Sequence, residues 1–391
     1  MITLLSFHST VLREESITVS SMNHLKIRLF KNQLKDSTCN LDRYFIRYDK
    51  FSMLDISTIE KYDLQKMYKV YDKWPETTRE AYESNQDSVD FDGIDHIIFA
   101  GMGGSGAIGD MLSSILSKTN IHVAVVKGYH LPNTVDSKTL VVTTSVSGNT
   151  VEILSVLDSA KKTKCNLIAF SSGGKMQDYC IKHKIEFRNI PQIHSPRASF
   201  PEFLYTILKI LEPILPIKKR DVLDSINELE KTSKIVSSMN LTENNPALKL
   251  AEWITSIPMI YYPYGLESAA VRFKNSLQEN SKKHAMMEDV IEACHNDVVS
   301  WEKIDKVQPI LLEGTDDFIK TKERWKILKE YFEINNIDYR EVHSVNGNIL
   351  SKLINLIYLL DYTSIYLAVL SKVDPSPVKS IDFIKRRISE I

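Results

Sequence analysis

Two short segments constrain the fold more than anything else in the chain, because each links an apolar run to a helical pattern through a tight turn. The first is Gly101-Met102-Gly103-Gly104-Ser105-Gly106, entered from the apolar run Ile94–Ala100 and followed by a helical pattern over about Ser105–Lys118. The second is Ser145-Val146-Ser147-Gly148-Asn149-Thr150, between the apolar run Leu140–Thr144 and a helical pattern over Val151–Lys161. Short apolar runs bounded by turns read as buried strands, so both segments are strand-to-helix turns. Ile121–Val126, Asn166–Phe170 and a possible edge strand Ile185–Asn189 add to the same text, with Gly173-Gly174 as a turn. Strands alternating with helices predict a parallel, doubly wound sheet.

A charge-laced helical stretch over 219–256 interrupts the alternation, which resumes with strand Ile257–Tyr262 and a helix to about Lys282. Strand Gln308–Leu312, helix Lys320–Ile334, strand Ile337–Val345 and a long helix over 349–372 complete it. The fold class is therefore α/β, with two doubly wound, flavodoxin-like subdomains, each a mainly parallel sheet flanked by helices. We divide the chain into a peripheral extension (1–52), a first subdomain (53–218), and a helical connector with a second subdomain (219–391). The extension has neither alternation nor a helical stripe, which leaves Met53 as an alternative start. Beyond it, Tyr62–Tyr71 reads as one amphipathic helix.

At 391 residues the chain has room for two domains and a large core. Its 49 basic residues balance 50 acidic ones, which argues against nucleic acid or an anionic membrane as partner. Cys39, Cys165, Cys180 and Cys294 are scattered without a disulfide or CxxC spacing, which favours a reducing cytoplasm. The N-terminus lacks the basic and apolar regions of a signal peptide. The apolar stretch Ile349–Leu370 carries Lys352, Asn355 and Asp361, so it reads as a buried helix rather than a membrane span.

Gly101-x-Gly103-x-x-Gly106 satisfies the dinucleotide fingerprint in its letters and in its strand–helix setting. That fingerprint also needs an acidic residue ending the second strand, to hold a ribose hydroxyl. Here the second strand runs into Lys127-Gly128, and no carboxylate lies between Asp110 and Asp136. A nicotinamide cofactor is thus disfavoured, and Gly103, Gly104 and Ser105 are left as a loop admitting a ligand close to the backbone. A tight turn packed for its own sake is the plainer alternative.

Ser145, Ser147 and Thr150 surround Gly148 at a helix N-terminus, where unsatisfied N–H groups and the helix dipole stabilise an anion. One hydroxyl would be enough for an N-cap. Three predict a phosphate site.

With these two segments in view, the chain resembles the sugar isomerase (SIS) fold. Its later segments resemble the archaeal-type bifunctional phosphoglucose/phosphomannose isomerases within that fold, from about Met53 to the C-terminus. Read alone, Glu279 in Gln278-Glu279-Asn280 is a solvated helical carboxylate, on a different face from the stripe Leu266, Ala269, Ala270, Phe273 and Leu277. The resemblance makes it the proton-shuttling base, with Gln278 where the family has Asn. It likewise implies that Arg197, in Pro196-Arg197-Ala198, steadies the enediolate, although Phe200-Pro201-Glu202 replaces the family's small residues. His295, ahead of Trp301-Glu302, and Lys385, in the closing segment after Val373–Val378, are implied in ring opening. The resemblance further implies a homodimer with the active site at the subunit interface and the histidine reaching the other subunit's site. Its implied substrates are glucose 6-phosphate and mannose 6-phosphate, interconverted with fructose 6-phosphate without cofactor or metal. Two rivals share the phosphate turn: another SIS sugar-phosphate isomerase, and a non-catalytic sugar-phosphate-binding regulator.

Overall fold

The computed structural model describes residues 54–303 and 306–390. The extension 1–52 and the alternative start at Met53 lie outside the described residues. The chain opens with α1 (Ile56–Tyr62), α2 (Met67–Asp72) and α3 (Trp74–Tyr82). The single helix expected over Tyr62–Tyr71 is therefore two. Asp63, fully buried, accepts the Tyr68 N–H at 2.8 Å, and Lys66 takes φ +55°, so the chain turns where periodicity alone predicts continuity.

The first sheet follows: β1 (His96–Ala100), α4 (Gly103–Leu116), β2 (His122–Val126), β3 (Thr139–Ser145), α5 (Val151–Lys161), β4 (Asn166–Ser171), α6 (Gly174–His183) and β5 (Glu186–Asn189). Three helices lead onward, α7 (Phe200–Ile210), α8 (Lys219–Val236) and α9 (Pro246–Trp253). The second sheet and its helices are β6 (Ile257–Tyr262), α10 (Glu267–Glu279), β7 (Met286–Asp289), α11 (Val290–Ala293), β8 (Val307–Glu313), α12 (Ile319–Ile334) and β9 (Arg340–His343). The chain closes with α13 (Ile349–Leu370) and α14 (Lys379–Glu390). β7, α3, α6, α7 and α11 have no counterpart in the sequence reading, and β9 is shorter than its expected Ile337–Val345.

Both sheets are wholly parallel among the described residues, ordered β2-β1-β3-β4-β5 and β7-β6-β8-β9. Strand order reverses between β1 and β3 in one sheet and between β6 and β8 in the other. At such a switch point the two following loops diverge and open a crevice at the strands' carboxyl ends.

Alternation along each strand builds the layers, because successive side chains point to opposite faces. Ile97, Phe99, Leu140 and Val142 face one side with Ile260, Ile310 and Leu312 of the other sheet, in a shared core with α4, α7–α10 and α13. Ile98, Ala100 and Val141 face the opposite side, against α5 and α6. Met259, Tyr261 and Leu311 do the same against α11 and α12. The long apolar helix α13 lies inside this shared core, buried along almost its whole length. Asn348 caps it, its Oδ1 accepting the Ser351 N–H at 2.9 Å.

One half-buried carboxyl on α7 makes stability pH-dependent. Burial, with Glu80 facing it, pushes the Glu202 carboxyl from its ordinary 4.5 up to about 7. The folded state thus holds this proton more tightly than the unfolded chain, so stability falls as pH rises from about 4.5 to about 7 and stays lower above. Glu202→Gln is expected to raise the melting temperature at pH 8 by roughly 2–4 °C and leave it unchanged near pH 4. Melting curves at the two pH values check this.

Candidate active site

The glycine loop follows β1 and the hydroxyl turn follows β3, so the two flank the switch point of the first sheet. Helix α4 starts at Gly103 and α5 at Val151, and no side chain caps either N-terminus. Thr150 occupies the N-cap position, yet its hydroxyl pairs with Ser145 Oγ at 2.9 Å instead of capping α5. Ser145 Oγ also accepts the Gly148 N–H at 3.1 Å. Ser147 is half-buried, and among the described residues its Oγ is held by a long 3.4 Å contact from the Asn149 N–H. The capping explanation of these hydroxyls therefore does not hold.

Two close contacts fix this turn in space. Ser105 Oγ accepts the Val146 N–H at 3.1 Å, joining the glycine loop to the turn. On the other side the turn is pressed against Ser171–Gly174 after β4. There the Ser172 hydroxyl donates to Val146 O at 2.7 Å and the Lys175 N–H donates to Asn149 Oδ1 at 3.1 Å. A Cβ on Gly148, which has φ +68°, would stand 1.8 Å from Gly173 O. The Gly173-Gly174 pair read as a bare turn in the sequence is thus the outer wall of the hydroxyl turn.

The glycine loop's other face meets Arg197. A Cβ on Gly104 would stand 3.0 Å from Pro196 O and 3.2 Å from Arg197 N. Arg197 is 5% exposed, and its guanidinium uses every edge. Nε donates to Asn280 Oδ1 at 2.6 Å, one Nη to Glu279 Oε2 at 3.2 Å, and the other Nη to Pro375 O at 2.7 Å and Ser376 O at 2.9 Å. Glu279 is the last residue of α10 and keeps 24% of its side chain exposed, so it is a paired carboxylate still open to solvent. Phe200 and Pro201, which depart from the family's small residues, begin α7 directly after this loop, with Pro201 in the first turn where it is tolerated.

Helix α10 is aimed by a buried polar seam. Arg272, Ser276 and Asn280 recur at helical spacing and meet Asp361 and Ser364 of α13. Arg272 is 3% exposed and pairs at 2.6 Å with the fully buried Asp361, which also accepts the Ser276 hydroxyl at 2.6 Å. Asn280 Nδ2 donates to Ser364 Oγ at 2.8 Å. Arg272 also donates to Arg197 O at 2.8 Å and lies 4.1 Å over the Phe200 ring.

His295 and Lys385 are elsewhere. His295 is exposed after α11, Lys385 is exposed on α14, and among the described residues neither bonds to Glu279 or Arg197. Glu313, Glu341 and His343 could hold a cation, their ligand atoms lying within 4.8 Å of one another. The Lys329 ammonium already sits there, 3.0 Å from Glu313 and 3.1 Å from Glu341.

A tandem pair of parallel sheets with an uncapped, hydroxyl-lined switch point defines a SIS-type protein. The SIS domain family matches residues 92–193, and the bacterial phospho-glucose isomerase C-terminal SIS domain matches residues 243–388. Among solved structures, the C-terminal domain of glucosamine-fructose-6-phosphate aminotransferase from Francisella tularensis superposes with TM-score 0.58 at 17% identity, covering 80% of this chain and 97% of that one. A glucose-6-phosphate isomerase like protein from Thermus thermophilus gives 0.53 at 18%, covering 83% and 95%. Within sequence relatives, a bifunctional phosphoglucose/phosphomannose isomerase of Caldicellulosiruptor bescii is 33% identical, over 81% of this chain and 97% of its own. One from Thermoplasma acidophilum is 28% identical over 79% and 97%. The chain belongs to the bifunctional phosphoglucose/phosphomannose isomerase family.

The turn geometry predicts a contrast between glycines. Gly148→Ala drives a methyl into Gly173 O and should cost roughly 2–4 kcal/mol. Gly103→Ala meets nothing within 4 Å and carries only its φ of +53°, a cost of about 1 kcal/mol. Denaturant unfolding of both variants checks the ranking.

Proposed function

We propose that the chain is an aldose–ketose isomerase that interconverts glucose 6-phosphate and mannose 6-phosphate with fructose 6-phosphate. Moving a proton between C1 and C2 needs a carboxylate base and a cation for the enediolate oxygen that develops as the C–H bond breaks. The observation that carries the reading is the Arg197–Glu279 pair, 3.2 Å apart, on the far side of the glycine loop from the hydroxyl turn. Ser145, Ser147 and Thr150 would hold the phosphate against the α5 N-terminus, and Gly103, Gly104 and Ser105 would form the wall between phosphate and reacting carbons. Anchoring the remote phosphate orients the sugar and supplies binding energy for the step.

Glu279 would take the C2 proton of the opened aldose and return it to C1 of the enediolate, while Arg197 balances the oxygen's charge. Ring opening falls to His295, with Lys385 as its partner. Both lie on exposed surface, and α14 also exposes Phe383 and Ile384 beside Lys385. A second copy of the chain would have to bring its histidine to the neighbouring site, so the working unit in this reading is a homodimer.

A coupled assay for fructose 6-phosphate formed from each aldose phosphate, run with a chelator present, tests the reading. Turnover of both is expected, and turnover of neither would overturn it. Glu279→Gln should lower kcat by a factor of roughly 10³ or more while a non-isomerisable phosphate ester still binds. Substantial residual turnover would remove Glu279 from the base role.

A further inference from the structure

Three residues past Glu279, Lys282 adopts φ +55°, a left-handed conformation. A position just beyond a helix end with this backbone normally favours glycine, since other L-residues are strained there. Lys66, Lys184 and Lys372 share this conformation, and what sets Lys282 apart is where its side chain goes. The ammonium folds back over the end of α10 and donates to Glu279 O at 2.6 Å, with Asn280 O at 3.4 Å. It also reaches the separate segment before α14, 3.3 Å from Asp374 O and 3.4 Å from Pro375 O.

That segment is the one on which Arg197 rests. The Pro375 carbonyl receives both the Arg197 guanidinium and the Lys282 ammonium, and Ser376 O receives Arg197 alone. The Asp374 carboxylate is turned to the Ser376 N–H, which it accepts at 3.0 Å. Two cations thus share a strip of neutral backbone acceptors. Partial desolvation and the nearby Arg197 lower the Lys282 pKa, while the Asp374 and Glu279 carboxylates oppose that shift.

We propose that Lys282 is a positioning residue for the Glu279–Arg197 pair: its ammonium clamps the end of α10 to the 374–376 strip and so fixes carboxylate and guanidinium relative to each other. The proposal rests on the isomerase reading for its kinetic consequence. Loss of the clamp lets the strip shift, and a displacement near 1 Å at a reacting pair lowers turnover roughly a hundredfold. Substrate affinity, anchored by the hydroxyl turn on the opposite side of the glycine loop, should change little.

The backbone conformation supplies the decisive variant. Lys282→Gly suits the left-handed φ and removes the side chain with its ammonium, so relief of backbone strain offsets part of the lost hydrogen bonding and the fold is retained. In the full chain we expect its kcat to fall by roughly tenfold to a hundredfold, with KM for the aldose phosphate within about twofold. Lys282→Arg keeps a cation and should recover most of the loss. Amide exchange measured by mass spectrometry across 373–380 should quicken in Lys282→Gly and not in Lys282→Arg. Wild-type kcat in Lys282→Gly, or a fall in kcat matched by an equal loss of inorganic phosphate binding, would overturn the proposal. If the unaltered chain turns over neither aldose phosphate, the isomerase reading fails on its own. The exchange comparison then decides the clamp.

Discussion

One guanidinium joins three parts of the chain that are remote in sequence. Arg197 leaves the first sheet's last loop, binds Asn280 and Glu279 at the end of α10, and rests on the Pro375 and Ser376 carbonyls ahead of α14. Arginine suits this place because its planar fork presents several fixed donors at once, which a lysine ammonium does not. A buried guanidinium is tolerable only when its donors are satisfied and its charge opposed. Both conditions are met by Glu279, Asn280 and the Pro375 and Ser376 carbonyls, so one side chain ties three segments into a single site.

The neighbouring pair Arg272–Asp361 plays the corresponding role inside the core. Removing one partner of a fully buried pair strands a charge and costs about 3–5 kcal/mol, whereas replacing both by apolar residues can be nearly neutral. Its contribution is therefore orientation more than stability. The pair fixes the rotation of α10 on α13, and with it the direction in which Glu279 leaves the helix.

Much of the sheet architecture was legible in the sequence because it follows from local signals. β1, β3, β4, β6 and β8 are short apolar runs with turns at their ends, and buried parallel strands have few other ways to be written. The hydroxyl turn was legible for the same reason. The glycine loop was the more conspicuous pattern, yet it lacks an acidic residue after β2 and packs between the hydroxyl turn and Arg197. What escaped the sequence is non-local or carried by backbone. Arg272 and Asp361 pair across 89 positions, and Asp361 could be read only as an obstacle to a membrane span. The 374–376 strip acts through carbonyls, which no side chain announces. Lys66 and Lys282 take left-handed conformations that lysine does not suggest. His295 and Lys385 carry no local signal at all and rest on family resemblance.

Isomerisation through an enediolate differs from a direct hydride shift in one observable, since only the enediolate exposes the migrating hydrogen to solvent. The most direct measurement is therefore solvent exchange: fructose 6-phosphate incubated with the protein in deuterium oxide, with label followed at C1 and C2 by nuclear magnetic resonance. Deuterium should enter at the carbon that receives the proton, and Glu279→Gln should abolish the exchange. Turnover without any label, or label entering undiminished in Glu279→Gln, would contradict the assignment of Glu279 and Arg197 as the reacting pair.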